Sequence, residues 1–202
     1  MNRIETIYSL IDENDKVVDV GCDQAKLGIL LAARNQSSIA SDISENVINK
    51  AKKDIDTPLI DLRVSDGLKN IKKDEADTLV LSGMGTHTII DIISKSNLKF
   101  KKIITISNNY HDILRTKMNN LGYSVELEQI IKENDKYYNL IEFKEGKTKY
   151  SDYEIYFGLN HIDKKLYQEY LEYLKNKYLI IKNESNGKNK KINKLLELLE
   201  KK

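Results

Sequence analysis

The sequence predicts a doubly wound α/β sheet of seven strands, closed by an antiparallel hairpin and followed by a helical tail. Three patterns carry that prediction. Residues 16–146 alternate short apolar runs with helical periodicity. Two longer alternating runs close that region, and a heptad stripe follows them with no strand signal. Alternation of the first kind builds right-handed βαβ units, which place helices on both faces of a parallel sheet.

Taken in order, an amphipathic stretch near residues 2–11 predicts a helix packed ahead of the first strand. The strands are expected at Lys16–Gly21, Ser38–Asp42, Leu59–Arg63, Asp77–Ser82 and Lys101–Ser107. They are short and rich in Val, Ile and Leu, as strands buried on both faces are. Helices are expected near residues 25–34, 44–55, 67–73, 85–95 and 110–120. Tyr123–Ile131 and Tyr137–Lys144 alternate apolar and polar residues around Glu133-Asn134-Asp135-Lys136, which predicts an edge hairpin. In the tail, Tyr167, Leu171, Leu174, Tyr178 and Ile181 recur at heptad spacing. Asn183-Glu184-Ser185-Asn186-Gly187 interrupts the stripe with turn formers. Ile192, Leu195, Leu196 and Leu199 then give a second stripe, and two such seams predict a helical hairpin. The expected units are residues 1–148 and 149–202.

Composition narrows the class. The chain is 40% hydrophobic and 32% charged, as a globular domain is. No run of 18 apolar residues is present, so no membrane-spanning helix is expected. Cys22 is the single cysteine, which excludes an intrachain disulfide and a multi-cysteine zinc site. A disulfide-linked partner is not expected, and one thiol fits a reducing cytoplasm. His87, His111 and His161 lack metal-ligand spacing, so no metal is expected. The net charge of +2 is unevenly spread. Residues 149–202 hold 12 lysines against 8 acidic residues, a net of +4. Lys188, Lys190, Lys191 and Lys194 form the densest run, and Arg115 is a further cation on the core. Such a run is either a phosphate-contact surface or a solvated face.

Chemistry is concentrated where the strands end. Strand one runs through Asp19 and Gly21 into Cys22-Asp23-Gln24. Gly21 lets the backbone approach a ligand, and Asp19 can hold loop amides or a ligand's amino group. The Gly-x-Gly-x-x-Gly fingerprint for a pyrophosphate is absent, which disfavours NAD and FAD. Strand two ends at Asp42-Ile43, 21 residues after Gly21. Asp42 is either an acceptor for two ribose hydroxyls or a cap for the next helix, with Ser44 the better cap. Strand three ends in Ser65-Asp66-Gly67, either an adenine-facing acid with a tight exit or an ordinary Asp-Gly turn. Strand four ends in Ser82-Gly83-Met84-Gly85, small residues with a methionine placed to flank a base. Ligands of open α/β sheets bind at this carboxyl edge.

These residues resemble the bacterial tRNA (adenine-22 N1)-methyltransferase (TrmK) family. The loop Val18-Asp19-Val20-Gly21-Cys22-Asp23-Gln24-Ala25 is similar to that family's Asp-Ile-Gly-Ser-Asp-His-Ala. Ser65-Asp66-Gly67-Leu68 resembles its Gly-Asp-Gly-Leu. Glu75-Ala76-Asp77 leading to Ser82-Gly83-Met84-Gly85 resembles its Glu-Ala-Asp and Ala-Gly-Met-Gly. Asn108 stands where Gln-Pro-Asn ends, Arg115 keeps its distance beyond, and Asp135-Lys136-Tyr137-Tyr138 resembles Gly-Lys-x-Tyr. Departures are Gln24 for histidine, Lys26 and Gly28 for tyrosine and proline, Ile106-Ser107 for Gln-Pro, and Thr86 for glycine.

The resemblance implies a Rossmann-like class I methyltransferase fold, an S-adenosylmethionine cofactor without metal, and tRNA as partner. Asp19, Gly21, Cys22, Asp23, Gln24, Asp42, Ile43, Ser65, Asp66, Gly67, Ser82, Gly83 and Met84 are the implied cofactor contacts. Asn108, or else a turn residue in its place, would hold the adenine amino edge, with Asp23 second. Arg115, Lys188, Lys190, Lys191 and Lys194 would meet RNA. A cytoplasmic monomer is expected. Two other readings stay open: a methyltransferase for another RNA position or a small molecule, and a non-catalytic binding relic.

Overall fold

In the computed structural model, residues 1–201 are described. The elements run α1 (Arg3–Ser9), β1 (Val17–Val20), α2 (Lys26–Ala33), β2 (Ser38–Asp42), α3 (Glu45–Asp54), β3 (Ile60–Val64), β4 (Thr78–Met84), α4 (Thr86–Ser94), β5 (Lys102–Ser107), α5 (His111–Asn120), β6 (Tyr123–Glu133), β7 (Lys136–Glu145), α6 (Asp152–Phe157), α7 (Lys164–Glu184) and α8 (Lys190–Glu200). The strands form one sheet in the order β3-β2-β1-β4-β5-β7-β6. Val17–Val20 pairs in parallel with Ser38–Ser41 on one side and Thr78–Leu81 on the other. Chain order therefore reverses between β1 and β4, and a crevice opens beyond their carboxyl ends.

Successive residues of the central strands face opposite layers. Val18, Leu79 and Ile103 pack with Leu114 and Met118 of α5, whereas Val17, Val80 and Ile104 pack with Ile7 of α1 and Leu27 and Leu31 of α2. Burial of each such side chain contributes roughly 1.5–3 kcal/mol. This two-sided cover holds the strand ends rigid relative to one another. No described helix is long and apolar enough to cross a membrane.

Three features depart from the sequence reading. No helix forms over residues 67–73. The buried Leu68 and Ile71 mimic a helical stripe, but side chains take over the backbone hydrogen bonds. Ser65 Oγ donates to the Gly67 carbonyl and accepts from Asn70 N–H, and Asn70 Nδ2 donates to the Val64 carbonyl. The edge hairpin turns on two residues rather than four. Asn134 and Asp135 both adopt positive φ, 48° and 58°, the backbone of a type I′ turn. Finally, α6 precedes the long tail helices, started by a capping box in which Ser151 and Glu154 satisfy each other's N–H groups.

The tail helices α7 and α8 do form the expected hairpin. Phe157, Ile192, Leu195 and Leu196 are its buried centre, flanked by Leu171, Leu174, Tyr178 and Ile181. A buried ion pair fastens the start of this tail to the sheet. Arg115 of α5 donates from Nε to Glu128 Oε1 at 2.8 Å and from Nη2 to Oε2 at 2.6 Å. Its Nη1 donates to the Ile155 carbonyl of α6, and Leu159 N–H donates to Glu128. Both side chains are 0% exposed. Arg115 is thus withdrawn from any RNA surface. It extends the buried face of Leu114 and Met118 and spends its donors inside the protein.

Candidate functional site

The crevice is lined by the loop that leaves β1, the end of β4, α1 and Glu133 of β6, with Ser41 of β2 and Asn108 after β5 bonded to its walls. After β1 the backbone turns sharply: Gly21, Asp23 and Ala25 have positive φ, and the N–H groups of Gly21 and Cys22 both donate to the Ser41 carbonyl. A Cβ on Gly21 would collide with Met84 Cε, so glycine lets β4's methionine lie against this loop. Asp19, Gly21, Cys22, Asp23, Gln24, Ser82 and Gly83 line one cavity of about 590 Å³. These seven sequence-derived candidates share a wall, and α1 closes the far side.

The electrostatics of this cavity are unusual. Asp19 is 8% exposed, and its carboxyl is pushed up to about 7. Burial is the larger cause and the charge of the nearby Asp42 the second. Among the described residues no lysine or arginine pairs with Asp19. The same surroundings, burial first and then Asp19 and Asp42, hold the Cys22 thiol up at about 12, which leaves it protonated and inert. A buried Asp19 lacking a cation, beside the half-buried Asp42, suits a ligand that brings its own positive charge.

Asp42 sends one oxygen to Ser44 N–H at 2.9 Å, while Ser44 itself caps α3 through Val47 N–H. Its neighbour Ile43 is a 68% exposed apolar side chain on the same rim. Asp66 and Gly67 line a second cavity, of about 610 Å³, with His87 and Thr88. The Asp66 carboxylate is exposed and paired with Lys69 at 2.5 Å. The Lys69 ammonium holds that acid below the usual carboxylate range. Ser65 is buried, and its hydroxyl is engaged within its own turn, where it holds the loop.

Asn108 stands on the exposed rim beyond β5. Its Nδ2 donates to the Gly83 carbonyl at 3.0 Å and its N–H to the Met84 carbonyl at 2.9 Å. The β4 loop thereby fixes the amide and leaves Oδ1 as an acceptor. Both Asn108 and Asp23 are exposed.

Four residues escaped the sequence reading. Arg3 and Glu133 line the first cavity and pair at 2.6 Å, although 130 positions separate them. The Arg3 guanidinium also lies 4.3 Å from the Tyr138 ring centroid. His111 sits at the start of α5. Its Nε2 donates to the Ser107 carbonyl at 3.1 Å and its Nδ1 accepts from Asn139 at 3.2 Å. Burial, then the Arg115 charge, lowers this histidine to about 4, so it stays neutral. Tyr170, on α7, accepts from the same Asn139 amide. Nothing local in the sequence joins these groups.

On the tail, Lys188 and Lys190 are exposed. Lys191 pairs with Asp112 at 3.4 Å and Lys194 with Asp152 at 2.7 Å. No described group of His, Cys, Asp and Glu residues is arranged to hold a metal ion.

Comparison with known proteins extends this picture. The tRNA (adenine(22)-N(1))-methyltransferase of Bacillus subtilis is 28% identical over 153 residues, 71% of this chain and 64% of that protein. The match thus spans a little under two thirds of the curated relative. A structure of M. capricolum TrmK with S-adenosyl-homocysteine aligns over 100% of this chain and 96% of that one, at 29% identity and a TM-score of 0.85. A Streptococcus pneumoniae protein, described as a putative tRNA (m1A22) methyltransferase, shares the fold at a TM-score of 0.90 and 22% identity, covering 100% and 98% of the two chains. A family model described as a methyltransferase domain matches residues 1–141, from α1 into the final strand. That match, over more than half of the chain, shows that the chain belongs to the methyltransferase-domain family.

Proposed function

We propose that the protein transfers a methyl group from S-adenosylmethionine to N1 of adenine 22 in tRNA. The observation that carries this reading is the likeness to M. capricolum TrmK, which runs through the tail as well as the sheet. The crevice supports it, because the residues present suit a cationic nucleoside. Asp19 would hold the amino-acid end, Asp42 the ribose hydroxyls, and Ile43 with Met84 the adenine faces. When bound, that cofactor supplies an electrophilic methyl group.

The chain's own residues then have a limited task. Adenine N1 carries an in-plane lone pair at neutral pH, so no base must first remove a proton. Orientation dominates, and in favourable cases it supplies about 7–11 kcal/mol. Asn108, held by Gly83, presents Oδ1 to the adenine amino group. Methylation at N1 places positive charge on the ring, and that acceptor stabilises it. The Asp23 carboxylate, on the same rim, is the second acceptor. A base stacked in a folded tRNA must be turned out, at a cost of a few kcal/mol.

The domain division we propose is residues 1–148 for cofactor and catalysis and 149–202 for tRNA contact. Lys188 and Lys190 are its leading phosphate contacts, and Lys191 and Lys194 join by exchanging their carboxylate partners. A cytoplasmic monomer is the setting that fits this reading. The test is methyl transfer to unmodified tRNA and to the same tRNA substituted at adenine 22. Transfer to the first alone is expected; equal incorporation into both would reject the position.

A further inference from the structure

A third cavity, of about 340 Å³, lies beyond Asn108, between the β6–β7 turn and α7. Its lining differs in kind from that of the cofactor crevice. Tyr137, Tyr170 and Tyr173 form an aromatic cluster, with centroid separations of 5.4 Å between Tyr137 and Tyr170 and 5.0 Å between Tyr137 and Tyr173. Tyr173 is 46% exposed, so part of this aromatic surface faces solvent. Lys136 and Lys177 stand at the rim, and Lys132 lies 5.4 Å from the Tyr137 ring centroid.

The polar groups of this cavity are directed as well. Asn139 donates to both His111 and the Tyr170 hydroxyl. The hydroxyl therefore uses its oxygen as acceptor and keeps its hydrogen for a further partner. Burial holds Tyr170 above the usual phenol range, so that hydrogen is retained. Aromatic faces, an aimed hydroxyl donor and lysines at the mouth match a nucleotide: a base to stack, a ring acceptor to bond and a phosphate to neutralise.

We propose that this tyrosine pocket is a nucleotide subsite, which stacks a base flanking the target adenine and draws its phosphate toward Lys136 and Lys177. The proposal rests on the tRNA reading above and deepens it. The target itself must reach the crevice at Gly83, and Asn108 joins the two spaces by its bond to that carbonyl. Arg3, which lines the crevice, also covers the ring of Tyr138, which lines this pocket. A flanking base seated beside α7 would hold the strand while the adenine enters the crevice. The tail then acts in base selection as well as in charge attraction.

The experiment is steady-state methyl transfer to tRNA by wild type, Tyr173→Ala, Tyr137→Ala and Tyr173→Phe, together with cofactor Kd by calorimetry. The two alanine variants should raise KM for tRNA about tenfold, the scale of one lost base–aromatic stack. Their cofactor Kd should not change, and Tyr173→Phe should behave as wild type. The partly exposed Tyr173 can be removed without a core cavity, which keeps the test open if Tyr137→Ala folds poorly. A binding readout is quenching of 2-aminopurine placed beside the target in a short RNA, and Tyr173→Ala should lose it. Wild-type protein that leaves tRNA unmethylated overturns the functional reading and the subsite with it. Wild-type transfer with unchanged KM and unchanged quenching in both alanine variants overturns the subsite alone.

Discussion

The two halves of the carboxyl rim are built on opposite principles. The half above β1 and β2 is acidic, and it comes from short stretches of sequence. Asp19 and Gly21 stand at the end of β1, and Asp42 at the end of β2. The half above β5 and the β6–β7 turn is aromatic and basic. It draws Asn108, His111, Tyr137 and Tyr170 from three parts of the chain and needs the tail to exist. The division of charge follows the division of labour. On the proposed function, a small cation would be received where Asp19 is buried and uncompensated, and a polyanion would be met where tyrosines and lysines are half-exposed.

The sharpest way to break this arrangement is to detach the tail. Arg115→Ala leaves Glu128 charged and buried without its partner, which should cost about 3–5 kcal/mol of stability. Chemical denaturation measures it. A paired Arg115→Met, Glu128→Leu variant should lose much less. Equal losses would mean that the pair is not a charge clasp.

On the acidic side, Asp42→Ala removes an acceptor for two hydroxyls and should weaken cofactor binding about a hundredfold, the scale of two charged hydrogen bonds. Calorimetry gives this directly, with circular dichroism to show that the fold is kept. A Kd within threefold of wild type would take Asp42 out of the site.

A smaller effect should appear with pH. Asp19 titrates near 7 in the free protein, raised by burial and then by Asp42. Below that value it is protonated and neutral, so a cationic ligand finds less counter-charge. The Kd should therefore fall as pH rises from 6 toward 7, by up to about tenfold per unit, and level off above. In Asp19→Asn the slope should vanish. A flat wild-type profile would mean that the ligand's charge does not meet this acid.

The basic side should respond least and in a different currency. Lys188→Ala with Lys190→Ala should weaken tRNA binding a few-fold and reduce the slope of log affinity against log salt by about two. Cofactor affinity should not move. An unchanged slope would make these lysines a solvated face.

The same contrast explains how far the sequence could be read. The succession of strands along the chain and the glycine–acid turns that follow them were legible because alternation and such turns are local signals. Arg115 was misread as surface charge because its partners, Glu128 and the Ile155 carbonyl, lie 13 and 40 residues away. The expected helix at 67–73 failed for a related reason. Leu68 and Ile71 have helical spacing, but the Ser65 hydroxyl and the Asn70 amide supply the hydrogen bonds of a turn instead. His111 showed only a lack of metal-ligand spacing, because its lowered basicity depends on burial and its bond to Asn139 on another strand. Tyr167 to Ile181 predicted the seam of α7, yet Tyr170 and Tyr173 fall outside that stripe and face the rim.

The inertness of Cys22 makes the protein its own blank for site-directed labelling. With the native thiol buried and protonated, a cysteine introduced at Lys26 would be the one position open to a maleimide dye. Lys26 is exposed and lines the acidic cavity. A solvent-sensitive fluorophore there would report filling of the crevice as a change in emission, with no radioactive donor and no turnover required.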